Sequence, residues 1–273
     1  MESTSDKFPT SVVPLHDHET AVQDNHAEGV PMLLVHALGL DHTFWRAVYP
    51  TLAGLGRVIT YDLRGHGRAQ DAPLTTSMEQ LAEDARDLLD RLRIAQVDVV
   101  GPSYGGAIAQ HLALAAPERV RSMALIATAT WFPKQELEQR ATDAEEHGME
   151  AQIPGSLARW FLRETIAQSP WEVRYASDQI RKAKVSNWAA AWRALANFDV
   201  RGRTAAVQQP VLVLSGMQDK SSKPDMMAET AAAYSHAILR TIDPGTHMCA
   251  MEQPAAVSAE LQQFLSVVRN GLL

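Results

Sequence analysis

A serine, an aspartate and a histidine at three separated positions have the types and the order that nucleophilic catalysis needs. Ser103 is the centre of the sequence Gly-Pro-Ser-Tyr-Gly. Asp219 ends a Gly-Met-Gln-Asp motif, and His247 ends a Gly-Thr-His motif. A serine hydroxyl is a weak nucleophile until a base removes its proton, and that base needs a carboxylate to orient it. These residues therefore predict attack by Ser103, with His247 as the base and Asp219 as its orienting acid.

The surroundings of Ser103 match those of a nucleophile elbow. The apolar run 96–100 predicts a strand directly before the motif, and residues 107–115 predict a helix directly after it. Small residues at Gly101 and Gly105 leave room for a serine in a strained turn, which lifts its hydroxyl above the sheet edge. The alternative is a glycine-rich turn with a capping serine. The strand–turn–helix context favours the nucleophile.

Asp219 and His247 are both predicted to follow a strand. Asp219 comes after the apolar run 210–214, and His247 comes after the run 237–241. The carboxyl ends of parallel strands meet at one sheet edge, where the side chains of such loops converge. The chain order serine, aspartate, histidine is the order that this type of elbow uses. An ordinary turn aspartate and loop histidine remain the alternative, but three matches in order favour a catalytic set.

A small-residue turn after another predicted strand supplies candidate donors for an oxyanion. The sequence His36-Ala37-Leu38-Gly39 can direct a backbone N–H at the carbonyl that Ser103 would attack. We expect the N–H groups of Leu38 and Tyr104 to be the two donors. His36 is expected to hydrogen-bond the loop backbone and not to transfer a proton.

The elements that must position these residues alternate between strands and helices. Alternation of this kind predicts a mostly parallel sheet covered by helices on both faces, an α/β class. The predicted strands are residues 31–35, 57–61, 96–100, 122–126, 210–214 and 237–241, with a thinly supported edge hairpin within 10–29.

The alternation stops between residues 131 and 198, where helical patterns recur, for example over 156–167 and 186–197. We therefore expect a helical cap inserted after the sixth strand, with a core formed by residues 1–130 and 199–273. Within that core, residues 1–29 form an acidic arm. Tryptophans of the cap are candidates to line an apolar substrate pocket, although packing in the core is the alternative. The candidates are Trp131, Trp160, Trp188 and Trp192.

Composition excludes several classes of protein. The 273 residues carry a net charge of −7, which argues against a nucleic-acid partner. A single cysteine, Cys249, excludes an intramolecular disulfide and a multi-cysteine metal centre. His16, Asp17 and His18 lie in a polar arm without a further ligand, so we expect them to be exposed and expect no metal. We also expect no organic cofactor, no membrane partner and a cytoplasmic location, because neither a membrane span nor a leader is visible.

From about residue 30 onward the chain resembles the α/β-hydrolase superfamily. The resemblance rests on five segments: residues 36–39, residues 62–67, the Ser103 elbow and the motifs that end at Asp219 and His247. Residues 36–45 and 159–161 are most similar to 3-oxoadipate enol-lactonases and related small esterases. Ala37 departs from the usual glycine of this family, and Arg68 stands where many relatives have a serine.

The resemblance implies a hydrolase of a small carboxylic ester or lactone that works through an acyl-enzyme. Two alternatives stay open: a carbon–carbon bond hydrolase of a diketone or ring-cleavage product, and a ligand-binding receptor with little turnover. The partner is a small molecule, and the sequence leaves homodimerisation open. An acidic cluster near the start of the cap, which includes Glu136, disfavours a dianionic substrate unless Arg159, Arg163 or Arg181 points inward.

Overall fold

The computed structural model describes residues 9–272, so residues 1–8 of the predicted acidic arm lie outside the described residues. Its centre is an eight-stranded sheet in the order β1-β2-β4-β3-β5-β6-β7-β8. The strands are β1 (Thr10–Pro14), β2 (Glu19–Asp24), β3 (Met32–Val35), β4 (Val58–Tyr61), β5 (Val97–Pro102), β6 (Val120–Ile126), β7 (Val211–Gly216) and β8 (Ala237–Ile242).

The sheet is mostly parallel, as the alternating pattern predicts. The hairpin of β1 and β2 is antiparallel and pairs with β4 in the antiparallel sense, whereas all pairings from β4 to β8 are parallel. Strands β3, β4, β5 and β7 are buried along their whole length. A strand covered on both faces needs apolar side chains at most successive positions, which explains the predominantly apolar runs. The predicted fold class is confirmed.

Helices cover both faces of this sheet. They are α1 (Tyr49–Ala53), α2 (Met78–Arg91), α3 (Tyr104–Ala115), α4 (Lys134–Trp160), α5 (Arg163–Gln168), α6 (Trp171–Lys182), α7 (Val185–Ala196), α8 (Pro224–Ala232), α9 (Cys249–Glu252) and α10 (Pro254–Arg269). Helix α2 shows how the sequence sets a boundary, because the Ser77 hydroxyl accepts the N–H of Gln80 and satisfies a donor of the first turn. Among residues 9–272, no helix has the length and the apolar character to cross a membrane.

Four helices, α4 to α7, lie between β6 and β7, and we call residues 131–198 the helical insert. Helix α4 is bent sharply at Gly148, whose φ of 74° and ψ of 177° are not helical. The two arms of α4 therefore run in different directions. A glycine is needed here because a positive φ is strained for other residues.

The predicted helix over residues 156–167 is wrong in its extent. Helix α4 ends at Trp160, Phe161 is extended, and a separate helix begins at Arg163. The physical reason is a tertiary contact. The Trp160 carbonyl accepts the N–H of Met248 and the hydroxyl of Thr246, so it is engaged outside the helix.

Candidate active site

Ser103 occupies the sharp turn between β5 and α3, with φ of 49° and ψ of −116°. This turn brings backbone segments so close together that no side chain fits two residues before or two residues after Ser103. A Cβ at Gly101 would lie 2.4 Å from the backbone of Gly105, and a Cβ at Gly105 would lie 2.3 Å from the Val35 carbonyl oxygen. The two glycines are therefore required by close approach of the backbone.

The structure brings Ser103, His247 and Asp219 together. The Nε2 atom of His247 lies 2.9 Å from the Ser103 hydroxyl oxygen, and its Nδ1 atom lies 2.9 Å from Asp219 Oδ2. The side chains are nearly closed to solvent, since Ser103 is 8% exposed and the other two residues are 4% exposed. An ionised carboxylate only accepts hydrogen bonds, so the neutral tautomer of His247 that fits both contacts has its proton on Nδ1. Its Nε2 lone pair then faces the Ser103 hydroxyl.

Two loops hold Asp219 and His247 at these distances. Asp219 Oδ1 accepts the backbone N–H groups of Ser221 and Ser222 at 2.7 and 3.0 Å, which stabilises its negative charge. The Gln218 N–H donates to the Gly245 carbonyl at 2.7 Å and ties the loop after β7 to the loop after β8. The carboxylate and the imidazole therefore have a fixed relative orientation.

The Leu38 and Tyr104 N–H groups are available to bind an oxyanion. Neither N–H donates to another residue in the described part of the chain, although both residues are buried. Tyr104 is the first residue of α3, where a helical N–H has no carbonyl partner within the helix. Leu38 lines the same cavity as Ser103.

His36 holds the turn that carries Leu38. Its Nδ1 donates to the Ala37 carbonyl at 2.8 Å, and its Nε2 accepts the Leu63 N–H at 2.9 Å. Accepting with Nε2 requires a neutral ring, and complete burial lowers the pKa of His36 to about 4. The expectation that His36 bonds the loop backbone is confirmed.

A cavity above Ser103 is enclosed by the core on one side and by the helical insert on the other. Its free volume is about 30 Å³, room for about one or two water molecules. The lining residues are Ala37, Leu38, Ser103, Phe132, Pro133, Glu136, Leu137, Arg140, Trp160, Trp192, Leu195, Ser221, His247 and Met248.

The structure brings two of the four predicted tryptophans to this cavity. Trp160 and Trp192 line it, whereas Trp131 and Trp188 do not. Trp131 pairs with the backbone of Asp199 at the base of the insert, with the Arg201 guanidinium 4.6 Å from its ring centre. Trp188 packs edge-to-face on Trp192, one layer away from the cavity. Spacing along a helix could not separate the two cases, because both layers of the insert are apolar.

Two charged residues of α4, Glu136 and Arg140, line the cavity and were not expected there. The sequence predicts a solvated face for the acidic cluster to which Glu136 belongs. The i and i+4 spacing of the two residues is a weak signal that they share one helix face. The bend of α4 decides which face meets the core, and no pattern of residues shows that.

Hydrogen bonds connect the helical insert to the loops around Ser103. The Tyr175 hydroxyl donates to Asp41 Oδ1 at 2.7 Å, and Gln179 donates to Asp41 Oδ2 at 2.9 Å. Asp41 follows the Leu38 turn directly. On the opposite side, Glu252 accepts the Leu162 N–H at 3.0 Å and is hydrogen-bonded to Thr246, next to His247. The insert therefore contacts both loops.

Other reactive groups are occupied or inert. Cys249 is buried, and burial raises the pKa of its thiol to about 12, so the thiolate is disfavoured.

Asp17, His18 and Asp84 approach one another as metal ligands would. The Arg64 guanidinium, however, bonds both carboxylates. The expectation that His18 is exposed is wrong, because its side chain is only 4% exposed beside Asp17.

Comparison with known proteins places these features in one family. Residues 30–254 match the family model described as alpha/beta hydrolase fold. The chain is 29% identical over 245 residues to 3-oxoadipate enol-lactonase 2 of Acinetobacter baylyi, covering 87% of this chain and 91% of that protein.

Two solved structures show the same architecture. An enol-lactonase from Burkholderia xenovorans superposes with a TM-score of 0.89 at 27% identity, covering 94% of this chain and 100% of that one. A thermophilic esterase from Thermogutta terrifontis superposes with a TM-score of 0.87 at 27% identity, covering 95% and 99%. The chain belongs to the alpha/beta hydrolase fold family and is similar to 3-oxoadipate enol-lactonase.

Proposed function

We propose that this protein is a serine hydrolase of small carboxylic esters or lactones, with Ser103, His247 and Asp219 as its catalytic residues. The observation that carries the proposal is the unbroken chain of contacts from Asp219 through His247 to Ser103, each at 2.9 Å. The enol-lactonase and esterase names of its relatives support ester or lactone cleavage. In this proposal residues 131–198 act as a cap over the core, since the cavity lies between the two.

The first half of the reaction forms an acyl-enzyme. His247 Nε2 removes the hydroxyl proton as the Ser103 oxygen attacks the carbonyl carbon of the substrate. Negative charge then develops on the carbonyl oxygen, and the N–H groups of Leu38 and Tyr104 stabilise it. Each such donor contributes about 3 kcal/mol to the transition state. His247 returns the proton to the leaving alcohol or enol oxygen, and the carbon–oxygen bond of the ester breaks.

The second half releases the acid. His247 accepts a proton from a water molecule that attacks the acyl carbon, and the Ser103 oxygen leaves and takes up that proton. Asp219 keeps Nδ1 of His247 protonated in both halves and stabilises the imidazolium that forms. The enzyme returns to its starting state, and no cofactor takes part in either step.

The test is hydrolysis of p-nitrophenyl acetate and butyrate by the wild type and by the Ser103→Ala variant. We expect turnover by the wild type and its loss in the variant, because alanine has no nucleophile. The melting temperature should stay nearly unchanged, because the substitution removes one oxygen atom. Ser266→Ala, at an exposed position of α10, is the matched control and should keep full activity.

The same assay separates the alternatives. A variant Ser103→Ala that hydrolyses the esters as fast as the wild type would contradict the proposal. Lactones and 1,3-diketones are then compared as substrates. Cleavage of a diketone without any turnover of esters or lactones would replace ester hydrolysis by carbon–carbon bond hydrolysis on the same residues.

A further inference from the structure

Ser221 places a further hydroxyl group on the wall of the Ser103 cavity. It lies on the loop after β7, two residues beyond Asp219, and is half-buried. Among the lining residues that belong to the core, Ser103, His247 and Ser221 are the polar ones. The mechanism described above gives Ser103 and His247 their roles and leaves Ser221 without one.

The loop that carries Ser221 is held in place on both sides. The Ser221 N–H donates to Asp219 Oδ1 at 2.7 Å, and the other oxygen of this carboxylate lies 2.9 Å from His247 Nδ1. The Lys220 ammonium donates to the Ala158 carbonyl at 3.3 Å, which ties the loop to α4 of the insert. The backbone of Ser221 is therefore fixed relative to the imidazole of His247.

The two adjacent serines of this loop differ in what their hydroxyl groups do. Ser222 is fully buried, and its hydroxyl donates to the Ala127 carbonyl at 2.8 Å. The Ser221 hydroxyl forms no hydrogen bond with any residue from 9 to 272. Because a hydroxyl oxygen both donates and accepts, Ser221 Oγ is free to bond a molecule inside the cavity.

Hydrolysis of an acyl-enzyme needs a water molecule held in one orientation. This water donates one hydrogen to His247 Nε2 and attacks the acyl carbon with a lone pair, so its second hydrogen needs another acceptor. A confined water molecule is stable with two to four hydrogen bonds, and a fixed orientation speeds its attack. The cavity has free space of about 30 Å³, room for about one or two water molecules, between walls that include His247 and Ser221.

We propose that the Ser221 hydroxyl accepts the second hydrogen of the water that hydrolyses the acyl-enzyme and thereby positions this water for attack. The inference rests on the proposed function for the acyl-enzyme itself. The water oxygen bonds to the acyl carbon, one proton passes to His247 Nε2, and the other stays on the new carboxylic acid. The bond from the acyl carbon to the Ser103 oxygen then breaks, and this oxygen takes the proton from His247. Ser221 is a positioning residue, since it neither gains nor loses a proton.

Competition between water and methanol for the acyl-enzyme tests this role. Methanol has one O–H, so when that hydrogen points to His247 a methyl group stands where the second hydrogen of water would be. Ser221 can therefore assist water but not methanol. The enzyme is given p-nitrophenyl butyrate at a fixed methanol concentration, and the ratio of methyl butyrate to butyric acid is measured by gas chromatography.

We expect Ser221→Ala to raise this ratio about 3- to 10-fold, the effect of losing one hydrogen bond to the attacking water. The ratio reports only how the acyl-enzyme is divided, whichever step limits turnover. Ser221→Thr keeps the hydroxyl and should return the ratio towards that of the wild type. Ser266→Ala, at an exposed serine of α10, is the control and should leave it unchanged.

A merely structural role predicts a different result. Displacement of His247 slows attack by water and by methanol alike, so the ratio would stay the same even if kcat fell. An unchanged ratio in Ser221→Ala, with or without a loss of kcat, would therefore overturn the positioning role. Melting temperatures check that the variants are folded.

Failure of this inference is distinguishable from failure of the proposed function. The burst of p-nitrophenol reports formation of the acyl-enzyme and not its breakdown, so Ser221→Ala should keep the burst that Ser103→Ala loses. A wild-type burst together with an unchanged product ratio in Ser221→Ala contradicts the role of Ser221 alone. Absence of a butyryl group on Ser103 in the wild type contradicts the proposed function, and with it the step that Ser221 assists.

Discussion

Ser103 shows how backbone conformation and chemistry depend on one another at a single residue. Its positive φ is strained for a serine and persists because the surrounding turn cannot relax. Gly101 and Gly105 make the turn sterically allowed, and the same turn places the hydroxyl beside His247 and the Tyr104 N–H at the start of α3. The strain is therefore part of the arrangement that we propose to be catalytic.

Asp219→Asn tests the proposed role of the carboxylate. An asparagine amide can donate to Nδ1 of His247, which favours the tautomer with its proton on Nε2, and that nitrogen can no longer accept the Ser103 proton. We expect kcat to fall about 10⁴-fold with little change in fold. Steady-state kinetics and circular dichroism check this. Asp199→Asn, at an exposed aspartate paired with Arg201, is the control; an unchanged kcat in Asp219→Asn would assign the orienting acid to another residue.

For single residues, the sequence predicts the positions of the candidate catalytic residues in the core better than the positions of the cavity-lining residues in the insert. Ser103, Asp219 and His247 each follow a strand, so the sheet topology places them at one edge. Arg140 has no such signal, because its position depends on the bend at Gly148. Trp131 and Trp188 are candidates for the pocket by residue type alone, with core packing as the alternative, and the structure packs them away from the cavity.

The contacts between elements connect the insert to the site. Asp41 follows the turn that carries Leu38, and its carboxylate accepts hydrogen bonds from Tyr175 and Gln179 of α6. Trp188 of α7 lies against Gly39 of the same turn, where a Cβ would be 2.4 Å from its ring. The free space beside Ser103, about 30 Å³, lies between this turn and the insert. These contacts couple the position of the Leu38 turn to the insert.

Tyr175→Phe tests this coupling. The substitution removes the hydroxyl that bonds Asp41 and leaves the ring stacked on Trp171. We expect kcat to fall by about 3- to 10-fold, with a smaller change in KM, because the Leu38 N–H is less well fixed against the oxyanion. Tyr234→Phe also removes a buried hydroxyl hydrogen bond, to Gln110. It should cost a similar stability of about 1 kcal/mol without changing kcat. Equal kinetics in the two variants would contradict the coupling.

The alternation of strands and helices was readable because buried parallel strands need apolar runs. The bend within α4 could not be predicted from the sequence, because nothing in the pattern around Gly148 distinguishes it from another surface glycine. The break after Trp160 was also hidden, because it depends on hydrogen bonds from Thr246 and Met248, more than 80 residues away in the chain.

For the whole molecule, buried neutral histidines make stability depend on pH. Burial lowers the pKa of His36 and of His66 to about 4 in the folded state, against 6.5 for the free side chain. Between these values the unfolded chain binds more protons than the folded one, so stability falls as the pH drops from 6.5 towards 4. Lowering the pH from 7 to 5 therefore reduces the free energy of unfolding of the protein by about 2 kcal/mol for each of these histidines.

His36→Gln isolates one of these contributions. A glutamine can accept from the Leu63 N–H and donate to the Ala37 carbonyl without titrating. We expect urea unfolding at pH 7.5 and pH 5.0 to show a loss of stability on acidification that is about 2 kcal/mol smaller in the variant than in the wild type. The same loss in both proteins would show that His36 is not held neutral by the fold.

The most direct test of the central claim is the pre-steady-state release of p-nitrophenol from p-nitrophenyl butyrate, followed by mass measurement of the intact protein and of its proteolytic peptides. The account predicts a burst that approaches one equivalent per enzyme and a transient butyryl adduct on the peptide that contains Ser103, both absent in Ser103→Ala. Turnover by the wild type without an adduct on Ser103, or a burst that persists in Ser103→Ala, would contradict it.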